Sequence, residues 1–233
     1  MTGESLKSSG LSRMIVGAGA DVRVATWPAA NDSADGRGGE VVVGPNGTLT
    51  LVGNVNTGSA ANVPYRCEDL TVKGGTLVVE GQPIWSGKKR IGITLEDCTV
   101  SAAASSKLFP DGFDLRIGGE LTFVQGDAAV RTELSSAFDG ACTKLTQSGP
   151  GTLALTGSRS PAQNLAVASS AKVELAFAGT NVVTSLELGG KPRRAGTYSA
   201  TEAPVARDAA YFAGEGTLEV LTGNPPGSLL IVR

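Results

Sequence analysis

Two acidic pairs, Glu96-Asp97 and Asp111 with Asp114, have the residue types and spacing for chemistry. A pair of carboxyls about 5 Å apart, or about 6.5–9.5 Å apart, hydrolyses glycosidic bonds, one as acid and the other as nucleophile or base. Several aspartates beside a basic residue can instead hold calcium for a lyase reaction. The same residues also occur routinely at solvated corners of β proteins, where they do neither. The loop "QPIWSGKKRIG" (82–92) is the second candidate. It sets Trp85 near Lys88, Lys89 and Arg90, a ring face and three cations suited to an anionic glycan. The competing expectation is a tryptophan folded back as a local plug beside solvated cations.

Other chemistries are excluded by what the chain lacks. It has no histidine, so Ser-His-Asp and Cys-His nucleophilic sites and histidine metal centres are ruled out. The three cysteines (Cys67, Cys98, Cys142) are scattered and contain no C-x-x-C pair, against structural zinc. "VGAGADV" (16–22) is similar to half of a calcium-binding nonapeptide. However, Val16 replaces its first glycine, Arg23 sits where an apolar residue belongs, and the motif occurs once. The expectation there is a glycine-rich turn before a strand at 22–25. No cofactor is expected. Twenty Lys+Arg against 22 Asp+Glu give a net charge of −2, which argues against nucleic acid as a partner. No apolar run approaches the roughly 20 residues of a membrane helix, and Met1–Gly10 lacks the order of a signal peptide.

The elements that must position these residues come from a repeat. "VVVGPNGTLTLVG" (41–53) is followed by "LTVKGGTLVVEG" (70–81), "LRIGGELTFVQG" (115–126), "LTQSGPGTLALTG" (145–157), "LAVASSAKVELAFAG" (165–179) and "FAGEGTLEVLTG" (212–223). Each is an alternating run, a corner rich in Gly or Ser, and a second alternating run. Weaker units lie at 93–100 and 182–190. From Gly47 to Gly216 the units recur roughly every 24 residues, a solenoid period. Sustained helical periodicity is absent. Aromatic residues are only 5%, so Val, Leu, Ile and Ala must supply the core. The fold expected is all-β, a right-handed parallel β-helix of about eight coils; a β-sandwich is the alternative. Leu49, Leu77, Leu121, Leu153, Val173 and Leu218 are expected to share one inward column.

The stretch "TKLTQSGPGTLALTG" (143–157) resembles the autotransporter-associated β-strand repeat. "LELGGKPRRAGTYSA" and "YFAGEGTLEVL" (186–221) resemble the closing units of large bacterial surface proteins built from that repeat. The resemblance implies a β-helix acting as stalk, adhesin or scaffold rather than enzyme, extracellular or on a bacterial cell surface. Glycans or other surface proteins are its implied partners. A carbohydrate-binding or carbohydrate-active β-helix is the alternative.

The organisation expected is an N-terminal cap or linker with a first strand over 1–40, the solenoid over 41–223, and a tail or closing strand over 224–233. "GKPRRAG" (190–196) reads as a hairpin tip standing off the solenoid. Cys67 and Cys142 each precede a leucine by three residues and so occupy equivalent places in coils three apart. That separation, about 14 Å, is too long for a disulfide.

Overall fold

A short alternating run has too little apolar surface to bury within its own coil, so it must be covered by neighbours stacked about 4.8 Å away. In the computed structural model the chain solves this as a β-solenoid. The structure describes residues 13–24, 39–52, 67–80, 92–107, 114–134, 141–157, 162–201, 208 and 210–223, among which there is no helix. The strands begin with β1 (Arg13–Val16), β2 (Asp21–Val24), β3 (Gly39–Val43), β4 (Thr48–Leu51), β5 (Cys67–Lys73) and β6 (Thr76–Val79). The longer β7 (Gly92–Ala102), β8 (Ser106–Lys107), β9 (Asp114–Gln125), β10 (Arg131–Leu134), β11 (Cys142–Ser148) and β12 (Thr152–Leu155) follow. Next are β13 (Asn164–Val167), β14 (Lys172–Leu175), β15 (Thr180–Val183) and β16 (Ser185–Leu188). The last are β17 (Lys191–Pro192), β18 (Gly196–Tyr198), β19 (Phe212–Gly214) and β20 (Thr217–Val220).

Three faces result, all of parallel strands. The first stacks β1, β3, β5 and the leading halves of β7 and β9. The second stacks β2, β4, β6, the trailing halves of β7 and β9, then β11, β13 and β16. The third begins at β8 and continues through β10, β12, β14 and β19. The solenoid thus exchanges its first face for its third near β9. On the second face the register aligns Val22, Leu49, Leu77, Val100, Phe123, Gln147, Val167 and Leu188 in one ladder. Residues 22 and 188 lie seven rungs apart in it, about 24 residues per coil as expected. Counted as full turns the solenoid has about five, fewer than the eight coils expected. The repeat count follows the second face, with its eight successive strands, whereas the third face stacks five.

The six residues expected in one column are all buried, but the register divides them. Leu49 and Leu77 are neighbours on the second face, while Leu121 is offset by two positions and sits on Cys98 and Leu145. Leu153 and Val173 pair on the third face, and Leu218 pairs with Asn181 of β15. The cause is that two different corners share one sequence signature. Gly47, Gly75 and Gly119 turn the chain from first face to second, whereas Gly151 and Ala171 turn it from second to third. Both corners are equally crowded. A Cβ on Gly75 would lie 2.6 Å from the Gly44 carbonyl oxygen, and one on Gly151 would lie 2.4 Å from Gln125 Cβ.

Stacking also begins earlier than residue 41. Met14 pairs with Val41 and Val16 with Val43, so a strand within 1–40, the segment expected to hold a cap or linker and a first strand, supplies the first rung. At the other end the expected hairpin is present, turning at Gly189 (φ 58) and Gly190 (φ 72). Rather than standing off, its second arm β17 lies antiparallel along the outer edge of β16. The proposed tail, 224–233, lies outside the described residues.

Packing of this kind predicts a steep contrast between inward and outward positions. Leu153→Ala, at a fully buried site, should cost about 2–5 kcal/mol in urea unfolding. Thr146→Ala, on the outer side of the second face, should cost within about 0.5 kcal/mol.

Candidate functional site

The carboxylates picked out by sequence are separated by the strand register. Glu96 ends the leading half of β7 and forms an ion pair with Lys73, its partner on β5, at 2.9 Å. Asp97 is the next residue, at a break in the β7–β9 register, with φ 47. Its Oδ1 accepts the backbone N–H of Glu120 at 2.9 Å, closing the corner of the following coil. Gly119 is needed directly above, because a Cβ there would fall 2.0 Å from that same oxygen. Asp114 pairs with Gly92 at the far end of the ladder, four positions from the Glu96 rung, or about 13 Å. Glu96 and Asp97 thus hold coils together, and Asp114 does not converge on them. Asp111, Trp85, Lys88, Lys89 and Arg90 lie outside the described residues.

The calcium-like stretch is a turn, as expected: Val16 ends β1 and Asp21 opens β2, with the Ala20 N–H donating to Gly17 O at 3.1 Å. Among the described residues no group of three or more Asp, Glu or Cys could hold a metal ion.

Two arginines span the outside. Arg23 on β2 reaches past β4 to grip Glu80 with both guanidinium nitrogens, at 2.6 and 2.5 Å, over the buried Thr50. Arg131 on β10 reaches past β12 to Glu174 on β14, at 2.6 and 3.0 Å, and also bonds Glu133. Beneath it Ala154 is buried on what would otherwise be an outer position. These hydrogen bonds hold the Glu174 carboxyl below its ordinary range and raise the Arg131 guanidinium. Bidentate geometry suits arginine to this bridging.

The surface that sequence reading missed is on the second face. Thr48, Thr76, Thr99, Thr122 and Thr146 pair in successive rungs, a column of half-buried threonines with no charge among them. The signal was present: each of these strands has Thr immediately before its inward residue, as in Thr48-Leu49 and Thr76-Leu77.

Comparison with known proteins finds no matching family model, no matching curated protein and no matching solved structure.

Cys98 and Cys142 are buried free thiols. Cys142 is therefore not bonded to Cys67, in keeping with the expected spacing. The two are not equivalent, however: Cys67 pairs with Gly39 on the first face and Cys142 with Gly119 on the second. Burial is the main cause that pushes Cys98 from an ordinary 9.0 up to about 12 and Cys142 up to about 11. The folded protein keeps these protons where the unfolded chain releases them, so stability is full below about pH 9 and declines as pH rises toward 12. Cys98→Ala should flatten that decline in denaturation curves taken across this range. Both thiols should react with a maleimide far more slowly in native than in unfolded protein.

Proposed function

We propose that the chain is a structural or adhesive surface module, a stalk or scaffold within a larger bacterial extracellular protein, and that it performs no catalysis. The observation that carries this reading is the second-face ladder, which runs through eight successive strands with each rung resting on its neighbours. Such a column makes an extended body from local contacts, which is what a stalk requires. Two further features support it. Glu96 and Asp97 are engaged in coil-to-coil contacts, and the column Thr48, Thr76, Thr99, Thr122 and Thr146 on the outer side of the second face carries no charge. The resemblance of 143–157 and 186–221 to surface-protein repeats supplies the extracellular setting. Contact with glycans or other surface proteins would fall to the threonine column and to the loop bearing Trp85, Lys88, Lys89 and Arg90.

A screen of acidic and neutral polysaccharides with the purified chain tests the reading. No new reducing ends and no unsaturated products should appear. Turnover that disappears on changing Glu96, Asp97, Asp111 or Asp114 would make the chain a carbohydrate-active β-helix instead.

A further inference from the structure

Every coil-to-coil pairing among the described residues is parallel, and the two antiparallel pairs are both made by the segment 189–201. One arm, β17, occupies the outer edge of β16, the last strand of the second face. It is only two residues long, both exposed, and one is Pro192, which has no N–H to offer a further strand. The other arm, β18, lies on the edge of β20. Lysine and proline on a short edge strand are the means by which natural sheets refuse more strands.

The segment is also fastened down. The Arg193 N–H donates to Leu186 O at 2.8 Å, and the Arg193 guanidinium lies 2.9 Å from the carboxylate of Asp208, whose side chain is 4% exposed. The Tyr198 hydroxyl donates to Arg194 O at 2.9 Å. Gly223 packs so closely that a Cβ there would lie 2.3 Å from Arg193 O. A carboxylate this buried depends on its cation, so losing Arg193 would drive Asp208 toward solvent and loosen the segment.

We propose that residues 189–201 form a latch that stops the solenoid from growing, and that opening it lets the β16 edge pair with a second copy of this chain. The occupant follows from the geometry. What lies on β16 must satisfy its backbone edge and continue the ladder that ends in Leu186 and Leu188 at the spacing of a coil. A coil of the same chain carries that alternation already. The inference does not depend on the surface-module reading.

Sedimentation or light scattering over a range of concentrations tests it on the full chain. The wild-type chain should be monomeric. Arg193→Ala, and separately the double change Lys191→Val with Pro192→Val, should give masses that rise with concentration while circular dichroism keeps its β signal. Amides of Leu186–Leu188 should exchange slowly in the assembled material. If Arg193→Ala loses its β signal, the double change, confined to exposed positions, decides alone. Monomeric variants with native dichroism, assembly that leaves these amides unprotected, or a wild-type chain that assembles as readily would each overturn the proposal.

Discussion

The apolar side chains of each coil are buried by the coils on either side, so parallel register between successive strands is the constraint on which everything else rests. Leu49 is fully buried because Val22 and Leu77 flank it, not because its own coil encloses it. From this follow the crowded corners, since any residue that pushes a corner outward breaks the register of two ladders at once. From it also follow the side-chain fastenings along one edge. Thr143 Oγ1 donates to Gly119 O at 3.0 Å, Asn164 Nδ2 to Thr143 O at 2.8 Å, and Ser185 Oγ to Asn164 Oδ1 at 2.7 Å. With Asp97 below them, these contacts carry hydrogen bonding along the corner from one coil to the next. Each is modest, about 1 kcal/mol, but each acts where the backbone leaves its strand geometry.

The fold was legible because its signal is periodic. Alternation marks which side of Leu77-Val78-Val79 faces in, and glycines at fixed offsets mark where the chain must turn. What sequence could not separate was one corner from another. Gly75-Thr76-Leu77 and Gly151-Thr152-Leu153 read alike, yet they introduce different faces, because the identity of a corner is set by which coil lies beneath it. That information is long-range.

The candidate site was less legible for the same reason. Glu96 and Asp97 look like a catalytic pair until the register supplies Lys73 and the Glu120 N–H as their partners. Arg193 and Asp208 are fifteen positions apart, and nothing local joins them. The threonine column was readable in principle, but only after the strands had been assigned to one face.

Within the second-face ladder one rung differs. Gln147 stands among Val, Leu and Phe, fully buried, and its Nε2 bonds both the side-chain oxygen of Gln125 and, at 3.1 Å, Gly151 O. Gln125 is itself the polar end of the neighbouring ladder Val24, Leu51, Val79 and Ala102. A chain made of near-identical units has a folding hazard that other proteins escape: slipped by one whole unit, it still matches leucine to valine almost everywhere, and so falls into traps nearly as deep as the native state. The amide pair works against that degeneracy where the coils of Gln125 and Gln147 meet. A slip between these coils breaks the bond between the two side chains and leaves Gln125 Oε1 without its donor, in a site where Gln125 Nε2 and Gln147 Oε1 already have no partner among the described residues, at about 1–3 kcal/mol for the group newly orphaned. Two residues thereby act as an address, telling one otherwise interchangeable unit which neighbour is its own.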